Sequence, residues 1–271
     1  MIKNEPLFTK VAVIGVGLLG GSLCCDLVAR NVAFHVAVWD PSSAVLNEAL
    51  ERGMAHTACQ SACEAAEGAD VVVVASPPQH IPDVLNELVA TAMQPGLITD
   101  LGSVKSPVCT VGEALYGTRF VGGHPMAGSA LSGISASHEG LFIGAPWAVV
   151  RTERPVEETG SPTETLCRLI RAVGGKPLLL TPNEHDEYTA LVSHLPHMLS
   201  FAFQSLVDHS QNRDAALQLA AGSYRDFSRI SNANPEMWDA IFKQNRAQIL
   251  DITQKFVTKL QAMCGDLEND I

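Results

Sequence analysis

One histidine of the chain lies in a local sequence that would hold it rigidly. It occurs in Gly122-Gly123-His124-Pro125-Met126-Ala127-Gly128, with glycines on both sides and a proline directly after it. This pattern predicts a stiff loop at the end of a strand. Histidine is the side chain that most often transfers a proton near neutral pH. A lone histidine is more often structural, but this setting favours a proton-transfer role for His124.

Two more histidines occur in Ser193-His194-Leu195-Pro196-His197. Their spacing places both on one face of a helix. A metal site would need further ligands or an H-E-x-x-H pattern, and the sequence offers neither, so we predict no metal. For His194 the alternative is a core histidine that bonds to backbone groups.

A pair of arginines, four residues apart, occurs in Arg225-Asp226-Phe227-Ser228-Arg229 and is followed by Asn234-Pro235-Glu236-Met237-Trp238. Paired arginines in an acidic chain with few cations are natural anchors for a carboxylate, because the guanidinium can bind it with two parallel hydrogen bonds. The alternative is a solvated helix face on which Asp226 neutralises one of the arginines.

A glycine loop follows the first predicted strand, Val11–Ile14. Its sequence, Gly15-Val16-Gly17-Leu18-Leu19-Gly20, then opens a predicted helix. In that context the three glycines allow a tight turn, close approach of a pyrophosphate, and close packing of helix on strand. The helix N-terminus, which includes Leu18 and Leu19, offers N–H groups and a partial positive charge to the phosphates. The loop therefore predicts a dinucleotide site.

An acidic residue ends the second predicted strand, Val36–Trp39. Asp40 lies twenty residues after Gly20 and is followed by Pro41-Ser42-Ser43 rather than by an arginine. A carboxylate there accepts hydrogen bonds from the adenosine ribose and repels a 2′-phosphate, which favours NAD over NADP. The alternative is a glycine-rich turn with an incidental aspartate. Ser76, after the third predicted strand, Val71–Ala75, completes the predicted cofactor site.

A serine follows the fourth predicted strand, Ile98–Asp100, in Leu101-Gly102-Ser103-Val104-Lys105. Ligands of parallel sheets bind beyond the carboxyl ends of the strands, so Ser103 should contact the substrate or the nicotinamide. A serine at the N-cap of the following helix is the second interpretation, and the two are compatible.

The elements that carry these residues alternate between strands and helices in the first part of the chain. Helical spacing follows each strand, for example at Leu19, Leu23 and Leu27. The alternation predicts an α/β fold with a Rossmann-like, doubly wound parallel sheet. Further strands are predicted at 119–121, 147–150 and 177–180, with a helix at 163–173.

The pattern changes after Thr181-Pro182-Asn183. From there on only helical spacing recurs, over 190–206, 215–221 and 238–263. We therefore expect an NAD-binding domain over residues 1–182 and an all-helical domain for substrate binding and dimerisation over residues 183–271.

The bulk composition limits the possible partners. The chain has 271 residues and a net charge of -11, which argues against a nucleic-acid partner. No apolar run approaches the length of a membrane span, and Met1 to Lys10 lack the apolar run of a signal peptide. Seven cysteines without a C-x-x-C pair are typical of a reducing compartment, so we expect a cytoplasmic protein.

Taken together, these segments make the chain resemble the prephenate/arogenate dehydrogenase family of tyrosine biosynthesis. The matching segments occur in the family's order across roughly residues 10 to 240. They are Gly15–Gly20 with Gly21-Ser22, Asp100–Lys105, Gly123–Gly128, Ser193–His197, Arg225–Arg229 and Pro235–Trp238.

The resemblance implies an NAD-dependent oxidative decarboxylation of a cyclohexadienyl substrate, prephenate or arogenate. Hydride would pass from ring C4 to NAD while His124 draws on the C4 hydroxyl. Loss of the ring carboxylate as carbon dioxide would then give 4-hydroxyphenylpyruvate or tyrosine.

By position in the family pattern, Ser103 would orient His124, and Arg229, with Arg225 nearby, would pair with a substrate carboxylate. His197 would line the pocket, which Gly222 and Trp238 would shape. The resemblance further implies a homodimer through the helical domain, with the active site in the cleft between domains.

One position departs from the family pattern. Many prephenate-using members carry an acidic residue six positions after the loop histidine, and here that residue is Ala130. The departure leaves the choice between prephenate and arogenate open. We also expect no fused regulatory domain, so that any inhibition by tyrosine would act at the active site.

The sequence is also compatible with two other functions. A β-hydroxyacid or imine-type dehydrogenase shares a Rossmann half followed by helices, but it commonly uses a catalytic lysine, and Lys243 has no supporting motif. A non-catalytic NAD sensor would have no use for both a positioned histidine and paired arginines.

Overall fold

The computed structural model describes residues 5–91, 94–128 and 131–269. The chain divides into two compact units, Met1–His185 and Asp186–Ile271, which we call the first and the second unit. This division lies close to the domain boundary expected after residue 182. Within the described ranges, no helix is long and apolar enough to cross a membrane.

The first unit contains the predicted parallel sheet. Its five strands pair in the order β3-β2-β1-β4-β5, and every pair is parallel. The strands are β1 (Phe8–Ile14), β2 (Ala33–Trp39), β3 (Thr57–Ala58), β4 (Val71–Val74) and β5 (Leu97–Asp100). The helices between and after them are α1 (Leu18–Ala29), α2 (Ser43–Glu51), α3 (Ala62–Ala66), α4 (Ile81–Leu88) and α5 (Ser106–Tyr116). The Rossmann-like prediction is confirmed.

The register of this sheet brings the carboxyl ends of its strands to one edge. Ile14 pairs with Trp39 on one side and with Val74 on the other, and Val74 pairs with Asp100. The valine-rich strands β1 and β4 are completely buried along their shared length, as expected for a parallel sheet covered by helices on both faces. The segments that follow these strands therefore share one edge, where parallel sheets bind ligands.

A second sheet of three strands follows in the same unit. Strand β6 (Gly122–Pro125) pairs antiparallel with β7 (Pro146–Val150), which pairs parallel with β8 (Lys176–Leu180). Helix α6 (Pro162–Ala172) lies between β7 and β8 in the chain. The predicted strand at 119–121 is confirmed only at Phe120, which forms an isolated parallel bridge with Ile98 of β5. A 3-10 turn occupies Gly117–Arg119, and the ladder with β7 begins at Gly122.

The second unit is helical, as predicted. Helix α7 (Pro182–Thr189) begins in the first unit, which includes its residues as far as His185, and leads into a π-helical turn, Ala190–His194. The turn ends just before Pro196, a residue that has no backbone N–H to donate. The remaining helices are α8 (Leu195–Asp208), α9 (Arg213–Gln218), α10 (Gly222–Ser231), α11 (Pro235–Gln244) and α12 (Arg246–Asn269). They divide the long segment predicted at 238–263 into two helices.

Candidate functional site

The glycine loop after β1 has the geometry that a dinucleotide site requires. Gly15 has a φ of +97°, and a Cβ there would lie 2.9 Å from the backbone carbonyl of Ala75. A Cβ on Gly20 would lie 2.0 Å from the carbonyl oxygen of Gly15. Around Gly17, by contrast, no described atom lies within 4 Å of the Cβ position. Two glycines are therefore required by packing, whereas Gly17 leaves open space beside the backbone.

The same loop presents the start of helix α1. Gly17 is the N-cap, so no side chain caps the first N–H groups, and the first turn contains no acidic residue. Leu18 and Leu19, which begin the helix, are half-buried. Uncapped N–H groups and the positive end of the helix dipole suit a phosphate group. The residues present fit the pyrophosphate of a dinucleotide.

Asp40 is fixed directly after β2. Its Oδ2 accepts a hydrogen bond from the backbone N–H of Val16 at 2.9 Å, and its Oδ1 accepts one from the N–H of Ser42 at 3.0 Å. Each carboxylate oxygen can accept a second bond, so the fixed side chain still suits ribose hydroxyls. Ser76 follows β4 beside Gly15, whose Cβ position is 3.0 Å from the Ser76 nitrogen. The predicted cofactor residues therefore lie at one edge of the sheet.

His124 lies within strand β6 rather than on a loop, which corrects the prediction from its glycines and proline. It pairs with Ala148 of β7 and is 9% exposed. A side chain on Gly123 would lie 2.5 Å from the carbonyl oxygen of Asp100, so the missing side chain allows β6 to approach the end of β5. Close approach of two backbones, rather than loop stiffness, positions this histidine.

The His124 ring contacts a second histidine that the sequence analysis did not identify. Nδ1 of His124 lies 2.8 Å from Nε2 of His185, and the ring centroids are 5.0 Å apart. His185 is 1% exposed and lies in the first part of α7. No motif marks His185 in the sequence, so only its contact in the fold reveals it.

A buried ion pair contacts the backbone of strand β6. Lys105 and Asp100 form an ion pair, and both side chains are completely buried. Lys105 Nζ donates to the carbonyl of Gly123 at 2.8 Å, and Asp100 Oδ1 accepts from the N–H of Gly123 at 3.1 Å. Oδ2 of Asp100 also accepts from the N–H of Gly102 at 2.8 Å. The pair thus joins the end of β5 to the residue that precedes His124.

Ser103 lies in the bend between β5 and α5 and is half-buried. The N-cap of α5 is Lys105, so the alternative interpretation of Ser103 as an N-cap is wrong. Across residues 5–91, 94–128 and 131–269, no hydrogen bond of the Ser103 hydroxyl is observed, to His124 or to any other residue. Its role in orienting His124 stays a prediction.

In the second unit, both predicted histidines contact Trp238. The His197 ring stacks on the indole at a centroid distance of 3.6 Å, and His194 meets the indole edge-on at 5.9 Å. His194 is buried, and its Nδ1 lies 3.0 Å from the Asn245 amide nitrogen. These features agree with the alternative of a core histidine. Burial lowers the pKa of His197 below its usual value, although a bond with the Ser193 carbonyl opposes this effect.

The two arginines lie on helix α10 and are exposed. Their exposure agrees with the alternative of a solvated helix face, but Asp226 forms no ion pair with either guanidinium in the part of the chain that the structure describes, so its neutralisation of an arginine is not observed. Gly222, at the first position of α10, has open space around its Cβ position, with no described atom within 4 Å. Ala130 lies outside the described residues.

Comparison with known protein families shows to which family the chain belongs. The family model described as "Prephenate dehydrogenase, nucleotide-binding domain" matches residues 26–177, and "Prephenate dehydrogenase, dimerization domain" matches residues 181–270. The chain belongs to the prephenate dehydrogenase family. The resemblance seen in the sequence is confirmed. The two family matches favour a prephenate dehydrogenase over a β-hydroxyacid dehydrogenase or an NAD sensor.

Individual family members agree with this assignment. The prephenate dehydrogenase of Bacillus subtilis (strain 168) is 30% identical over 264 residues, which span 96% of this chain and 70% of that protein. The solved prephenate dehydrogenase of A. aeolicus, in complex with hydroxyphenyl propionate and NAD+, superposes with a TM-score of 0.88 at 26% identity and covers 97% of this chain and 91% of its own. The solved Synechocystis arogenate dehydrogenase gives a TM-score of 0.82 at 29% identity and covers 97% and 93%.

Proposed function

We propose that this chain catalyses the NAD-dependent oxidative decarboxylation of prephenate or of arogenate. The observation that carries the proposal is His124, a buried histidine in the unit that contains the dinucleotide loop, with its Nδ1 engaged by His185. Family membership and the prephenate and arogenate dehydrogenases among the similar proteins agree with it.

NAD supplies the acceptor for the hydride that leaves ring C4. The protein must meanwhile accept the proton of the C4 hydroxyl, because the carbon becomes a carbonyl as the hydride departs. His124 accepts that proton at Nε2 and returns it to the same oxygen when the ring carboxylate leaves as carbon dioxide. Since aromatisation supplies much of the driving force, the remaining residues mainly position and polarise the substrate.

Arg229 binds a carboxylate of the ring substrate, and Arg225 adds positive charge one helical turn away on α10. His197 and Trp238 form a stacked pair that offers a flat wall to a ring. Gly222 leaves room beside the start of α10. Ser103 contacts the substrate hydroxyl from the end of β5.

The cofactor is bound by the loop after β1 and by the segments after its neighbouring strands. Gly15, Gly17 and Gly20 hold the pyrophosphate at the start of α1, together with the N–H groups of Leu18 and Leu19. Asp40 accepts hydrogen bonds from the adenosine ribose, and Ser76 contributes to the cofactor site from the end of β4. The family match to the nucleotide-binding domain begins at residue 26, after the glycine loop. The assignment of that loop to the cofactor is therefore part of our proposal.

We further propose a homodimer through the second unit, which matches the domain described as the dimerization domain. Several apolar side chains on its helices are exposed in the single chain, such as Leu206 and Leu260. We propose a cytoplasmic location on the strength of the seven cysteines, which form no disulfide among the described residues.

The test is an assay of the purified protein with NAD and with each ring substrate in turn, followed by absorbance at 340 nm. We expect NADH formation with prephenate, with arogenate or with both, and the ratio of the two kcat/KM values defines the substrate preference. His124→Asn should lower kcat by about 10²–10⁴-fold and leave NAD affinity unchanged. No NADH with either substrate would refute the proposed function.

A further inference from the structure

His185 and His124 form a buried pair at the centre of the proposed chemistry. The two rings meet at 62°, with Nδ1 of His124 and Nε2 of His185 at hydrogen-bond distance. They are 61 residues apart in the sequence, on strand β6 and helix α7. A bond between two imidazole nitrogens requires a hydrogen on one of them and a lone pair on the other.

The first turn of α7 is held by hydrogen bonds and an ion pair that fix the position of His185. The carboxylate of Glu184 accepts a hydrogen bond from the backbone N–H of Thr181 at 2.8 Å, and the Thr181 hydroxyl oxygen accepts one from the N–H of Glu184 at 3.4 Å, so the two residues form a capping box. Glu184 also pairs with Arg154. The backbone N–H of His185 donates to the Thr181 carbonyl at 3.0 Å.

His124 is fixed equally well from its own side. Its strand pairs with β7, and the preceding residue, Gly123, bonds to both members of the buried pair of Lys105 and Asp100. Two independently anchored elements therefore bring the two ring nitrogens together. Such an arrangement couples the hydrogen position on one ring to that on the other and holds both ring orientations, because rotation of either ring would break a buried bond.

We propose that His185 is a positioning residue that keeps the hydrogen of neutral His124 on Nδ1 and accepts it in a hydrogen bond at its own Nε2. This inference rests on the proposed function of His124. With Nδ1 protonated, Nε2 of His124 is the nitrogen that carries a lone pair and can accept the substrate proton.

The proton balance of the step is then complete. The O–H bond of the C4 hydroxyl breaks, its proton binds Nε2 of His124, and the C4 hydride reduces bound NAD. The resulting imidazolium is stabilised by the lone pair of His185 Nε2, and His185 itself stays neutral. When the bond between the ring and its carboxylate breaks, its electron pair flows to the C4 oxygen, which takes the proton back from His124.

The first experiment uses the side chain at position 185 as the variable. His185→Gln places an amide oxygen within reach of the position of Nε2, whereas His185→Ala removes the acceptor and His185→Asn is too short to replace it. We expect His185→Ala and His185→Asn to lower kcat by about 10–100-fold with KM for both substrates within about twofold. His185→Gln should recover most of the rate. The matched control, His209→Ala, changes an exposed histidine of the second unit and should match the wild type.

Full activity in His185→Ala would overturn the inference, and so would a His185→Gln variant as slow as His185→Asn. Circular dichroism and NAD titration establish which variants are folded, and the contrast between glutamine and asparagine does not depend on the alanine variant.

A second measurement does not depend on turnover. Long-range ¹H–¹⁵N spectra of the protein with labelled histidine should show neutral His124 with its hydrogen on Nδ1, and His185→Ala should shift it toward Nε2. A wild-type His124 protonated on Nε2 would overturn the inference even if the enzyme is active. An inactive wild type with the expected spectrum would instead refute the proposed function and leave the pairing intact.

Discussion

Lys105 and Asp100 form an ion pair with no solvent exposure, and both side chains bond to the backbone of Gly123, which precedes His124. A buried charge without its partner is strongly destabilising. Lys105→Met keeps the length of the side chain but leaves Asp100 unpaired, so it should lower the free energy of unfolding by about 3–5 kcal/mol. Denaturation in urea measures this change.

The double variant Lys105→Met with Asp100→Asn removes both charges and should be more stable than Lys105→Met alone. Lys255→Met breaks an exposed pair with Asp251 and should leave the unfolding midpoint unchanged. If Lys105→Met is as stable as Lys255→Met, the pair does not hold β6 against β5.

Asp40 should determine the choice between NAD and NADP. Asp40→Ser removes the carboxylate expected to bind the ribose, and Pro41→Arg adds a cation beside it without changing Ser42, the N-cap of α2. Loss of a hydrogen bond to a charged group costs about 1.5–3 kcal/mol, so kcat/KM for NAD should fall by about 10–100-fold. The arginine should raise kcat/KM for NADP.

Initial rates with the two cofactors give the selectivity ratio. Pro41→Arg alone serves as the control, because it keeps Asp40 and should still prefer NAD. An unchanged ratio in the double variant would remove Asp40 from the cofactor site.

The third prediction concerns the proposed carboxylate anchor. Arg229→Ala should weaken binding of the ring substrate by about 2–5 kcal/mol, if the guanidinium pairs with a carboxylate that the site removes from water. NAD affinity should not change. Arg213→Ala alters an exposed arginine of α9 in the same unit and is the matched control. Substrate affinity is measured by calorimetry on a His124→Asn background, where turnover is slow. Equal affinity in Arg229→Ala and in the control would refute the anchor role.

The stacked pair of His197 and Trp238 predicts a pH effect on fluorescence. Burial lowers the pKa of His197, so the ring should stay neutral until the pH falls clearly below 6.5, its usual value. A protonated imidazole in contact with an indole should quench its emission, and the quenching midpoint reports the pKa of His197 in the folded chain. His197→Gln should abolish this transition. A midpoint at or above 6.5 in the wild type would contradict the prediction.

The lowered pKa of His197 also makes the stability of the protein depend on pH. Because the unfolded chain binds this proton at a higher pH than the folded chain does, the free energy of unfolding falls as the pH drops below 6.5. The loss ends once the pH is below the lowered pKa of folded His197. Denaturation of the wild type and of His197→Gln across this range isolates the contribution.

Much of the first unit could be predicted from the sequence, because local patterns determine it. Short apolar runs marked β1, β2, β4 and β5, and the glycine loop with Asp40 followed from spacing alone. The helical pair of His194 and His197 was also visible, since residues three apart on a helix share a face. Both rings indeed contact Trp238.

The elements around His124 could not be predicted in the same way. Gly122-Gly123-His124-Pro125 has little intrinsic preference for a strand, and it forms one because β7 and the buried pair of Lys105 and Asp100 bond to its backbone. His185 is contacted across 61 residues of sequence, and no local pattern reports such a contact. Tertiary contacts, rather than local preference, decided both features.

In the proposed reaction, oxidation and decarboxylation occur together on one ring. The most direct measurement incubates the enzyme with NAD and prephenate or arogenate, labelled in the ring carboxylate, and quantifies NADH and released carbon dioxide. We predict one carbon dioxide for each NADH, with both products lost in parallel in His124→Asn. NADH without carbon dioxide would indicate a simple hydroxyl dehydrogenase and contradict the account.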